Sequence, residues 1–234
     1  MKRLSILFLI LSIFLLTFSS CKTPFGKKIF SSVPKEPKFT VSLNSRQVPL
    51  GNIEMQRDKR FSSTALVKEA ADVIYFPEED AVCIKYKSDF FNYHLFLDRT
   101  GRLLFLNALE KYMAAYEIRD LPNNNKKTGN IYGSAECYLT WQEFKFTKRF
   151  SGNMNIEAGY RFNKGLPYFL IIQNQSEFID TTNKSNNTAS QQILIHFTRA
   201  QAQELAAFFN EEALREHAVP RIRRDGLTVD VDAW

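Results

Sequence analysis

Residues 94–109 run HLFLDRTGRLLFLNAL, and what Asp98-Arg99-Thr100-Gly101 does within them decides the fold. Two structures compete for that tetrapeptide. It can turn a β-hairpin, with Leu103 to Leu106 as the return strand. Alternatively, Asp98 caps a helix. Leu104, Phe105, Ala108, Leu109, Tyr112 and Tyr116 then recur at helical spacing and make one apolar stripe. A second stretch favours the helix. Residues 194–209 run LIHFTRAQAQELAAFF, so His94–Arg99 falls on Leu194–Arg199 at an offset of 100. Phe105, Ala108 and Leu109 then fall on Leu205, Phe208 and Phe209. Strand, capping residue and amphipathic helix occur at both places.

Strand-like runs surround these two stretches. Phe39–Leu43 alternates, and Asp72–Phe76 is an apolar run stopped by Pro77-Glu78-Glu79-Asp80. Val82, Ile84 and Tyr86 alternate with Cys83, Lys85 and Lys87, the pattern of a half-buried strand. Asn92–Leu97 follows. Beyond a loop at Pro122–Gly129, strands are expected at Cys137–Phe150, Asn155–Phe162, Tyr168–Ile172 and Gln192–Phe197. Asn183–Asn187 is a polar loop. Thr198 caps the second helix, with Leu205, Phe208, Phe209 and Leu214 inward and Glu204, Glu211 and Glu212 outward. The expected fold is therefore α+β over residues 39–218: antiparallel sheet with two amphipathic helices, as two strand-strand-strand-strand-helix units. Such a doubled order resembles that of Whirly and purine-rich-element-binding proteins, families that bind single-stranded nucleic acid. The resemblance is one of element order, and fold likeness does not confer function. Residues 219–234 close the chain with a basic cluster, Arg221, Arg223 and Arg224, and a short alternating run, Leu227, Val229 and Val231.

The N-terminus carries a different message. Met1-Lys2-Arg3 precedes an uncharged run, Leu4–Phe18, and then Ser19-Ser20-Cys21. A charged start, a short apolar core and a small-residue exit are the parts of a secretory signal. The run is 15 residues, short of the roughly 20 a spanning helix needs. Phe18-Ser19-Ser20-Cys21 resembles the lipobox of bacterial lipoproteins, with Phe18 in place of the usual Leu or Val. The resemblance implies diacylation of the Cys21 sulfur, cleavage just before it by signal peptidase II, and acylation of the new amino terminus. Lys22, by analogy with enteric bacteria, favours the outer membrane. Residues 1–20 are then a signal peptide. Residues 21–38, with Pro24, Gly26, Pro34 and Pro37, are a lipidated tether that lets the domain stand off the bilayer.

Composition and motifs bound the rest. The chain carries 31 Lys+Arg and 25 Asp+Glu, and loss of Lys2 and Arg3 with the signal leaves a side-chain charge of +4. That suits an anionic membrane surface and does not demand nucleic acid. Cys83 and Cys137 remain as an even pair outside the cytoplasm. They are either a disulfide or two separate buried thiols. No catalytic, phosphate-binding or zinc motif is present, and nothing calls for a cofactor. His94, His196 and His217 are scattered and read as structural, and Glu78-Glu79-Asp80 reads as a solvated turn. Phe144-Lys145-Phe146-Thr147-Lys148-Arg149-Phe150 interleaves aromatics with cations. The strand alternation there would put Phe144 and Phe146 inward and Lys145 and Arg149 outward. Two function classes follow: an envelope module that binds a protein, peptide or glycan without catalysis, or an envelope enzyme whose site is assembled from distant residues.

Overall fold

Ile53 and Met55, Ala71 and Val73, Val82 and Ile84, Ile156 and Ala158 are each two residues apart, so each strand sends one row of side chains to the same side. The computed structural model of the protein describes residues 40–59, 65–123, 129–145, 147–178 and 188–218. The strands are β1 (Val48–Asp58), β2 (Leu66–Phe76), β3 (Ala81–Ser88), β4 (Phe91–Leu97), β5 (Asn130–Glu143), β6 (Phe150–Asn163), β7 (Leu166–Gln173), β8 (Glu177–Phe178), β9 (Thr188–Ala189) and β10 (Ile193–Phe197). The helices are α1 (Arg99–Glu117), α2 (Arg199–Ala207) and α3 (Glu211–Ala218). β1 to β7 pair in chain order, and β10 closes the ring between β7 and β1, every pair antiparallel. This is an eight-stranded closed barrel; β8 and β9 pair only with each other.

The barrel overturns the α+β expectation and its two-unit plan. The local elements at the two repeated stretches form as expected. Asp98 accepts a hydrogen bond from the Gly101 N–H at 2.8 Å, and Thr198 builds a capping box with Gln201. What fails is the inference that each helix belongs to its own sheet. The first strand pairs with the last, Gln56 with His196 and Arg57 with Ile195, so neither half keeps an edge of its own. The Whirly-like order therefore does not describe this molecule. Residues 40–43, with Phe39 outside the described residues, form no strand either. Cys137–Phe150 is two strands separated by a turn rather than one. Residues 1–38, including Cys21, and the tail 219–234 lie outside the described residues.

Helices α1 and α2 close the same end of the barrel. α1 packs on β4, β5 and β6, and α2 on β1, β7 and β10. Phe105 of α1 enters the lumen, meeting Phe169 and Phe209 edge-on at 5.0 Å each and Phe197 at 6.4 Å. Below it, Ile84, Leu95, Leu97, Ile156, Ile171, Ile195 and Phe197 surround a cavity of only about 10 Å³. The middle of the barrel is thus filled by side chains. The outer faces carry charges such as Lys68, Asp72, Lys85 and Glu136, opposite to the apolar outer band of a membrane-spanning barrel.

Cys83 and Cys137 are both free and buried. Cys83, Phe96 and Tyr138 are in register on the outer wall, under Val41 and Leu43. Cys137, one residue from Tyr138, faces the lumen and approaches Gly101. The wall of the barrel separates the two sulfurs, and burial pushes both thiols well above their usual range.

Candidate functional site

The end opposite the helices is built differently. There the inward register changes from aliphatic to polar and aromatic: Arg57 on β1, Tyr86 on β3, Tyr93 on β4, Trp141 on β5 and Gln173 on β7. Tyr86, Tyr93 and Trp141 are neighbours across three strands, and the Tyr86 and Tyr93 rings stack at 5.4 Å. The Tyr86 hydroxyl donates to Gln173 Oε1 on the opposite wall, a bond that crosses the lumen. Arg57 Nη2 lies 3.0 Å from Glu69 and 3.3 Å from Asp89, so its charge is matched locally.

Four polar atoms in this region are buried without a hydrogen-bond acceptor: Arg57 Nε, Tyr93 Oη, Trp141 Nε1 and Gln173 Nε2. Each can donate, and a buried unpartnered donor costs about 1–3 kcal/mol. The Tyr93 hydroxyl has the Gln191 backbone N–H beside it, which leaves its own proton unused. Burial raises its pKa to about 12, so it stays a donor at any physiological pH.

A strap made of residues 174–178 and 188–192 crosses this end. Ser176 N donates to Ser190 Oγ and Ser190 N to Ser176 O, both at 2.8 Å, and Ser176 Oγ donates to Asn153 O at 3.1 Å. Phe178 packs on Phe150, which stacks on Trp141. Gly152 makes this approach possible. A Cβ there would lie 2.6 Å from Ser176 Oγ and 2.9 Å from the Glu177 carbonyl. Gly152→Val is therefore expected to lift the strap and leave the barrel folded. Proteolysis within residues 174–192 should accelerate at least several-fold at an unchanged thermal midpoint, and an unaltered cleavage rate would show that the strap is not seated against Gly152.

A second opening lies at the helix end. It is a groove of about 680 Å³ lined by Tyr116, Arg119, Leu121, Phe162, Pro167 and Arg199, among others. Arg199 sits over the Tyr116 ring at 4.9 Å, and Arg119 is exposed. These cations are already solvated or stacked, so the groove needs no occupant.

Among the described residues, no group of His, Cys, Asp and Glu could hold a metal. His94 and His196 both point out of the barrel. His94 Nδ1 meets Thr140 Oγ1 at 3.2 Å, and His196 lies fully buried beside Asp58, Arg161 and Tyr168. The acidic turn is structural rather than merely solvated: Glu79 accepts from Ser42 N, and Asp80 accepts from Arg102. Lys145 and Arg149 are exposed as expected, but Phe144 is not inward; it is 48 % exposed, because Cys137, Leu139 and Trp141 make the lumen row of β5 and alternation leaves Phe144 on the outer one. Phe146 lies outside the described residues.

A family model described as an uncharacterised Treponema protein matches residues 47–216. The chain belongs to that family. The match runs from the start of β1 into α3 and so covers every strand of the barrel and the strap-end site. No curated protein and no solved structure matches the chain. The protein is thus bacterial.

Proposed function

We propose that the mature protein is a lipid-anchored component of the bacterial envelope whose barrel is a binding module, taking a small neutral molecule under the strap. The observation that carries this reading is the set of four unpartnered donors at one end of an otherwise apolar lumen. Donors call for acceptors. Arg57 is already balanced by two carboxylates, so an anionic ligand would meet net negative charge. Neutral acceptors such as carbonyl, ether or hydroxyl oxygens satisfy the donors at no such cost. Trp141, Phe150 and the Tyr86–Tyr93 pair supply flat apolar faces for the body of the ligand, as in a polar-apolar glycan or a peptide. Binding is favoured over catalysis because the lumen presents its charged groups paired and both barrel histidines outside it.

The anchoring half rests on residues 1–21. Cys21→Ser is expected to abolish labelling with radioactive palmitate and processing before residue 21, and a wild-type chain that takes no label rejects the anchor. The binding half is tested on protein purified from envelopes. Denaturation should release a small neutral molecule from the wild type, seen by mass spectrometry. Gln173→Leu and Trp141→Phe each remove one donor, and about fivefold or more in affinity should go with it. Wild-type protein that releases nothing the two variants lack would reject a lumen ligand.

A further inference from the structure

The strap end also presents a surface that neither the barrel nor the lumen site uses. Phe90, at the β3–β4 turn, is 57 % exposed, and Phe144, at the end of β5, is 48 % exposed. They sit side by side, because Phe144 N donates to Phe90 O at 2.9 Å. Two large exposed side chains on loop tips whose backbones are bonded together have no packing role in the barrel. Around them Lys87, Lys145, Lys148 and Arg149 are exposed, against half-buried Glu143. Asp89, in the same turn as Phe90, is held by Arg57. Lys148 lies over the Phe150 and Phe178 rings at 5.2 and 5.6 Å, at the edge of the strap.

We propose that this rim docks on an anionic lipid bilayer, Phe90 and Phe144 entering the headgroup–acyl boundary while the four cations face lipid phosphates. The proposal rests on the lipid-anchor reading, which puts the domain within reach of a bilayer. The tether of residues 22–38 has 17 residues, and an extended chain reaches roughly 3.3–3.6 Å per residue. Either end of the barrel can thus meet the membrane, and the surface chemistry selects. Exposed aromatics with surrounding cations at projecting tips match an interface where apolar carbon and anionic headgroups lie a few ångströms apart. A single strand of nucleic acid would instead need rings set along a groove that tracks its backbone. These rings stand on two turns at the barrel's end. Docked this way, the strap and the donors beneath it open toward the bilayer, and the lumen ligand is drawn from there.

The test uses the full, lipidated chain in vesicles of phosphatidylcholine with or without phosphatidylglycerol. Phe144→Cys and Ile118→Cys are each labelled with an environment-sensitive nitrobenzoxadiazole dye. Cys83 and Cys137 are buried and stay unlabelled. Ile118 is 73 % exposed at the helix end and reports the opposite orientation. In anionic vesicles the dye at 144 should shift to the blue and be quenched by nitroxide-labelled acyl chains, and the dye at 118 should do neither. Lys145→Ala should lower the docked-to-free ratio about fivefold. A palmitate-labelled protein whose dye at 144 stays in water, or whose dye at 118 is quenched instead, overturns the docking and leaves the anchor standing. An unlabelled protein rejects the anchor and the docking together. An oligonucleotide that binds the rim and loses affinity in Lys145→Ala, with no quenching in vesicles, assigns the surface to nucleic acid and overturns the proposal.

Discussion

Replacing Asp80 and Glu211 together by Asn and Gln is expected to destabilise the barrel by about 3–5 kcal/mol, while Arg102→Met costs about 1 kcal/mol or less. Arg102 has no exposure at all, although it carries a full charge. Its Nη2 lies 2.9 Å from Asp80 Oδ1 and 2.9 Å from Glu211 Oε1, and Nη1 donates to the Asp80 carbonyl. Tyr75 adds a hydroxyl to the same Asp80 oxygen at 3.2 Å. The pairings tie α1 to the β2–β3 turn and to α3. The carboxylates are 51 % and 30 % exposed, so water can take them over when the arginine is gone. The guanidinium has no such recourse. Neutralising both partners leaves a buried cation, whereas an apolar chain of similar length removes the problem. Asn tolerates the left-handed backbone of Asp80, φ 45°, so the double variant tests charge and not strain. Thermal midpoints measure the contrast. For a domain of this size the double variant should melt roughly 10 °C lower. An Arg102→Met midpoint as low as that of the double variant would show that the guanidinium earns its place by its bonds rather than by being neutralised.

The elements were more legible than their assembly. Asp98 and Thr198 announce their helices because a cap is a local event, decided within four residues. The stripe of Phe105, Ala108, Leu109 and Tyr112 is likewise local, and all four are buried. Closure is not local. It depends on β1, where Glu54, Gln56 and Asp58 alternate with Ile53, Met55 and Arg57. With a charged residue on the inner row and Gly51 in a bulge, that segment shows no clean apolar period. Without it, β10 has no partner beyond β7, and the chain reads as open sheets. The apparent doubling at an offset of 100 has a geometric cause instead: β4 and β10 both end at the helix end, where each chain must turn and cap a helix over the lumen.

The site left fainter traces. Arg57 occupies an inward position in its strand, and a charge on an inner row is a signal that alternation alone could have raised. Gln173 and Trp141 carry no such mark, since an amide or an indole near a strand end is ordinary. Their meaning comes from the ring, which sets β3 opposite β7 and so lets Tyr86 reach Gln173. Phe144 was legible only as one of several aromatics. Whether it points inward depends on which row of β5 faces the lumen, and closure puts Cys137, Leu139 and Trp141 there, leaving Phe144 on the outer row.

Acid should destabilise the fold through two histidines well before the bulk of the carboxylates titrate. Burial holds His196 down to about 4 from an ordinary 6.5, with Arg161 adding to the shift and Asp58 opposing it. His94 is held to about 4 as well, by burial first and then by Arg149 and Lys85. His196 is therefore neutral in the fold, and its 3.8 Å approach to Asp58 is not a salt bridge; Arg161, at 2.8 Å, is that carboxylate's partner. Both folded values lie below the unfolded one. Between pH 6.5 and pH 4 the unfolded chain binds the protons first, so stability falls as pH falls through that window and is level above it. For His196 the loss at pH 4 is about 3 kcal/mol; for His94, which is partly exposed, it is smaller. Urea midpoints at pH 7 and pH 4.5 measure the slope. His196→Gln keeps a polar side chain of similar reach without a titrating ring, and its midpoint should change less between the two pH values than that of the wild type. His94→Gln should show a weaker flattening and retain a partner for Thr140. A double variant as acid-sensitive as the wild type would place the pH dependence in the carboxylates. The histidines on the barrel wall would then be spectators of acid unfolding rather than its trigger.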